Sequence, residues 1–121
     1  MPGFFVRACL GVALIAMGCG GGDDTEASPE VDCSSASVPG FMDVSAFGVC
    51  INCHNSGLSG PDRNGAPSSY NFDQYDSASE HAADIVKQVS SGFMPPIKSG
   101  YTLTAQQKEQ LYAWAECGAP E

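Results

Sequence analysis

The chain has 121 residues, room for one domain. Its 5 lysines and arginines against 14 aspartates and glutamates leave a formal net charge of -9. That excludes a nucleic-acid binder built on a basic face, because such binding neutralises phosphates with cations. Six cysteines in so short a chain point to an oxidising compartment or a bound metal. A hydrophobic fraction of 43% excludes wholesale disorder, and no apolar run reaches the roughly 20 residues that a membrane-spanning helix needs.

Residues 1–18 read as an export signal. Arg7 precedes an apolar run from Ala8 to Met17, closed by the small residue Gly18. The stretch Ala16-Met17-Gly18-Cys19 resembles the lipobox of bacterial lipoproteins, which implies that Cys19 is acylated and becomes the mature N-terminus. The alternative is an ordinary signal peptide that happens to contain Cys19. Cys9 leaves with the signal either way. Residues 19–32, rich in Gly, Asp, Glu, Ser and Pro, have nothing to bury and read as a flexible acidic tether. The folded domain is then residues 33–121, small enough to need a staple or a metal.

Phe41, Val44, Phe47 and Ile51 keep a rough helical spacing and predict a first helix over Met42–Val49. Next comes Cys50-Ile51-Asn52-Cys53-His54, the C-x-x-C-H pattern of c-type haem attachment. Two thiols three positions apart match two vinyl groups of one porphyrin edge, and the adjacent histidine can place a neutral imidazole nitrogen under the iron. A thioredoxin-like site would want a βαβ context that is not here. A zinc site would have to recruit Cys33, Cys50, Cys53 and Cys117, without the second close pair of a zinc ribbon. The plainest alternative is a chance motif in a disulfide-rich exported domain.

From His54 to Asp76 the chain is mostly Gly, Ser, Asn, Asp and Pro, with Tyr70, Phe72 and Tyr75 among them. Such a loop is long for a compact domain, unless its aromatic residues pack on a cofactor. Ser77 to Val89 then predicts a helix, with Ser77 and Glu80 as a capping box. His81, Ile85 and Val89 share one face of it, so His81 points inward. Ser91-Gly92-Phe93-Met94-Pro95-Pro96 follows. Met94 offers a soft, neutral thioether as sixth ligand, held by two prolines that fix φ. His81 is the competing ligand. Its other reading is a satisfied core histidine. The last helix starts at Thr104, capped with Gln107 three later, carries Leu111 and Trp114 after Leu103, and stops at Gly118 and Pro120.

On these motifs, residues 41–120 resemble a class I cytochrome c domain, closest to the small single-haem domains of exported bacterial proteins and lipoproteins. The resemblance implies an all-α fold: three main helices around one covalently bound haem c, with long loops. It implies thioether attachment at Cys50 and Cys53, axial ligation by His54 and Met94, and a terminal helix crossing the first one. It implies a proline carbonyl accepting from the axial histidine, for which Gly65-Ala66-Pro67 is the candidate and Gly60-Pro61 the rival. Arg63 would meet a haem propionate or be solvated. The same fold brings the helix ends bearing Cys33 and Cys117 together, as a disulfide.

The expected function is therefore electron transfer, not enzymatic: a monohaem cytochrome tethered by lipid on the periplasmic side of a bacterial membrane, monomeric. Internal repeats are absent, which excludes a second haem. Asp23, Asp24, Asp62, Asp73, Asp76 and Asp84 would steer redox partners with basic patches. The alternative is a haem-based ligand sensor or peroxidase-like enzyme in which Met94 is displaced. A third reading is an interaction module merely stabilised by a metal or by disulfides.

Overall fold

Aromatic side chains from three parts of the sequence meet in one cluster, and the helices follow from what that cluster demands. The computed structural model describes residues 29–121. The expected signal at residues 1–18, the expected lipidation site Cys19 and most of the expected tether, with Asp23 and Asp24, lie outside the described residues. Within them the chain is helical, with no strand. It forms α1 (Phe47–Cys50), α2 (Tyr75–Glu80), α3 (Ala82–Ser90) and α4 (Ala105–Glu116), with 3-10 turns at Phe41–Asp43, Gly60–Arg63 and Ile97–Ser99.

The helix expected over Met42–Val49 is instead a 3-10 turn and the short α1, separated at Val44, whose ψ of 93° is extended. Burial explains the break. Phe41, Val44, Ala46 and Phe47 are all buried, yet on one helix Ala46 would point about 140° away from Phe41 at 100° per residue. Interrupting the helix lets all four face inward. Ser45 marks the join, its hydroxyl donating to Gln110 Oε1 of α4 at 2.8 Å.

The helix expected over Ser77–Val89 starts earlier and is interrupted at His81. Backbone bonds run through the interruption, from His81 N–H to Ser77 O and from Ile85 N–H to His81 O. Ser77 is not the cap. Its hydroxyl donates to Ser69 O and accepts from Asn71 N–H, both at 3.0 Å, so it ties the preceding loop and the helix begins after Gln74.

The last helix forms as its sequence predicts. Thr104 Oγ1 accepts from Gln107 N–H at 3.2 Å, and Gln107 Oε1 accepts from Thr104 N–H at 2.9 Å. Leu103, Leu111 and Trp114 are buried, α3 packs against α4, and Gly118 leaves the helix at a φ of +98°, a conformation glycine adopts without steric cost. Trp114 meets Phe47 edge-on, with ring centroids 5.1 Å apart, and Phe41 lies 5.0 Å from Phe47. Such pairs favour tilted and edge contacts because ring faces and edges carry opposite charge.

Two devices close this cluster. Cys33 and Cys117 are joined in a disulfide across a sequence separation of 84, with Cα atoms 5.5 Å apart. The segment after α4 supplies acceptors: Pro120 O takes Trp114 Nε1–H at 2.7 Å and Phe41 N–H at 3.1 Å, and Ala119 O takes the Tyr75 hydroxyl at 2.9 Å. No helix among the described residues is long and apolar enough to cross a membrane.

Candidate functional site

Between α1, α3, the long loop and the segment around Met94 lies a cavity of about 330 Å³, within the usual range for small-molecule sites, about 300–1,000 Å³. Cys50, Cys53, His54 and Met94 all line it. Apolar walls come from Val49, Phe72, Ile85, Val89 and Leu103, together with Pro67, Pro95 and Pro96. The sequence separates Met94 from His54 by forty positions, and the fold brings them to one space.

The end of α1 presents the first thiol. Cys50 is its last residue, and backbone turns carry the chain to Cys53 and His54, whose N–H bonds Cys50 O at 2.9 Å. Both thiols are free and half-buried, while Cys33 and Cys117 are consumed in their disulfide. A four-thiol zinc site is thus not assembled, and no cluster of three or more His, Cys, Asp or Glu that could hold a metal ion occurs among the described residues. Burial pushes the Cys50 thiol up to about 11, so the unmodified group is neutral at ordinary pH.

His54 is only 9% exposed and is fixed at three points. Its Nδ1 faces Tyr70 O at 3.2 Å, its ring stacks on Phe72 with centroids 4.5 Å apart, and its carbonyl accepts from Phe72 N–H at 2.8 Å. A carbonyl oxygen only accepts, so Nδ1 carries the proton and Nε2 the lone pair. No described residue hydrogen-bonds Nε2, which leaves that nitrogen for a metal. Burial lowers the imidazole below its ordinary value; the Tyr70 carbonyl opposes this and the nearby Arg63 charge adds to it. The ring is therefore neutral at physiological pH, as a ligand must be.

Met94 is half-buried on the cavity wall. Its N–H bonds Gln88 O at 3.0 Å, tying the segment back to α3, after Gly92 turns the chain at a φ of +78°. His81 is placed otherwise. Its ring stacks on Tyr70 at 3.8 Å and is not among the groups lining the cavity. Tyr70 does line it, with its hydroxyl donating to Asp84 at 2.9 Å. Asp62, Asp73, Asp76 and Asp84 are exposed.

Two expectations about the loop are corrected. The carbonyl facing His54 belongs to Tyr70, not Pro67. Pro67 O instead accepts from Arg63 Nη2 at 2.6 Å and from Tyr70 N–H at 3.1 Å, in a turn that places Tyr70 against the histidine. Pro61 O, the rival, is taken by Asn64 N–H. Arg63 is not solvated: it is 6% exposed and lines the cavity, and among the described residues its guanidinium donates to Asn55 O, Leu58 O, Ala66 O, Pro67 O, Tyr70 O and Asn71 Oδ1. The available signal was an isolated cation in a long, carbonyl-rich loop, where a five-donor group has much to bind.

Asp73 anchors the loop's other side, accepting from Ser56 N–H at 2.8 Å and from the Ser56 hydroxyl. No protein-family model, curated protein or solved structure matches this chain.

Proposed function

We propose that the chain is an electron carrier of class I cytochrome c type, with one haem c bound through Cys50, Cys53, His54 and Met94. One observation carries the reading: the two free thiols, a neutral histidine with an unengaged nitrogen and a thioether line one apolar cavity. The donor set fits the group. The Cys50 and Cys53 S–H bonds would add across its vinyl groups, His54 would offer Nε2, and Met94 would offer a soft sulfur that favours the reduced state. When bound, the haem supplies reversible one-electron chemistry.

The chain's own residues do the rest. Apolar walls exclude water, Phe72 and the Tyr70 carbonyl fix the imidazole plane, and the Gln88 carbonyl holds the Met94 backbone. With His54 and Met94 both bound, the iron would have no position for a substrate, which suits a carrier rather than an enzyme. The export signal and Cys19 support a lipid tether on the periplasmic side of a bacterial membrane. The exposed aspartates suit redox partners with basic patches.

The test is to express the full chain with its signal and a haem-maturation system, then examine it after denaturing extraction. Haem that stays attached, with the weak far-red absorption of sulfur–iron bonding in the oxidised protein, is the expected result. Loss of that band in Met94→Ala, with attachment kept, assigns the sixth ligand. Ready binding of carbon monoxide by the reduced wild type would replace the carrier with a ligand sensor. A chain that emerges without attached haem overturns the reading.

A further inference from the structure

The Tyr70 carbonyl has two donors. His54 Nδ1 stands 3.2 Å from its oxygen and Arg63 Nη2 stands 3.0 Å from it, so the two occupy its two lone pairs. The same guanidinium grips the chain on both sides of that contact. Nη1 donates to Asn55 O, on the residue following His54, at 2.7 Å and to Asn71 Oδ1, on the residue following Tyr70, at 3.0 Å. One rigid planar group thus sets the spacing between the histidine and its acceptor. All its hydrogen-bond acceptors are neutral oxygens, so no carboxylate bonded to it cancels its charge.

Resting on the haem reading above, we propose that Arg63 is a positioning residue for His54: it holds the Tyr70 carbonyl against Nδ1 and, by drawing on the same oxygen, raises the reduction potential of the centre. The direction follows from two effects of one sign. A carbonyl that also binds a cation is a poorer acceptor, so less negative charge accumulates on the imidazole and the ligand donates less to iron. The oxidised centre also carries one more positive charge than the reduced one, and a buried cation nearby disfavours it. Lysine keeps the charge but not the fork, because a point-like ammonium cannot bridge both chain segments.

The experiment compares haem-loaded wild type, Arg63→Gln, Arg63→Lys and, as a charge control, Lys108→Gln on α4. It measures the potential by redox titration and the exchange of the His54 Nδ1 proton by NMR in the reduced state. Arg63→Gln is expected to shift the oxidised-to-reduced ratio at fixed poise toward oxidised by roughly threefold to tenfold, the size of one modest hydrogen bond, or ~30–60 mV. Its Nδ1 proton exchanges faster. Arg63→Lys recovers part of the potential while exchange stays fast, and Lys108→Gln changes neither. If Arg63→Gln does not accumulate, fast exchange in Arg63→Lys decides for the proposal and wild-type exchange against it. Arg63→Gln matching Lys108→Gln in both readouts overturns the role of Arg63 and leaves the haem reading intact. Absence of haem from the wild type overturns both, and is seen before any variant is measured.

Discussion

The domain is held together in two different ways on its two sides. Around Trp114, Phe41 and Phe47, side chains meet side chains, and the Cys33–Cys117 bond ties the chain across them. From His54 to Gln74 there is little regular structure, and the buried Arg63 cation binds five backbone carbonyls and the Asn71 side chain. The first side fills its interior. The second braces its backbone from the wall of the apolar space, which Arg63 itself lines. A small fold that keeps a cavity gains from this division. Packing supplies cohesion at one end, and a polar brace at the other shapes a wall without occupying the cavity.

The comparison breaks most visibly at Trp114. Trp114→Ala empties the aromatic contact and leaves the Pro120 carbonyl with Phe41 N–H as its remaining donor, and should cost about 3–5 kcal/mol in urea unfolding. A loss below ~1 kcal/mol would mean that the aromatic side is not the source of cohesion. Next is the staple. Cys33→Ser with Cys117→Ser should cost about 2–5 kcal/mol, with ~4–5 the upper figure from chain entropy for so long a loop. Midpoints of the oxidised protein with and without reductant give an independent check, the variant being insensitive to reductant.

The smallest effect tests the loop side through pH. Burial acts to raise the Asp73 carboxyl, but the Ser56 hydrogen bonds outweigh it and hold the group below its ordinary 3.8. Its contribution is therefore present above pH 3.8 and is lost as pH falls through the lower folded value. Because the group is exposed, the contribution stays below ~1 kcal/mol. Asp73→Asn should flatten the acid limb of the stability profile by that amount and loosen the amides of 55–58 in hydrogen exchange, while those of α4 stay protected. Equal loosening of α4 would show that the two sides are not separable.

What could be read from the sequence follows the range of the forces involved. The bounds of α4 were legible because Thr104, Gln107 and Gly118 act within a turn of the ends they define. The motif residues were legible as donor types, yet nothing local states that Met94 and His54 share a cavity. The break at Val44 was hidden, since it brings Ala46 to the interior beside the buried Phe41 and Phe47, a demand of packing rather than of local spacing. Ser77 carried a correct-looking cap signal, but its hydroxyl found Ser69 and Asn71 instead. Tyr70 rather than Pro67 faces His54 because Arg63 and the turn between them set the loop's register. A carbonyl leaves no mark in a sequence, so that assignment needed coordinates.

The acceptors supplied by Ala119 and Pro120 have a consequence for the order of events during synthesis. A chain leaves the ribosome N-terminal part first, so Phe41, Tyr75 and Trp114 emerge before the carbonyls that satisfy them. Cys33 likewise waits for Cys117. The aromatic side therefore closes late, and until it closes Cys50 and Cys53 belong to an open chain rather than to a half-buried turn. Thiol chemistry is easiest in that interval, because closure raises the Cys50 thiol to about 11 and takes it out of water. Burial of the Cys50 sulfur thus follows closure of the aromatic side, which waits for residues 117–120.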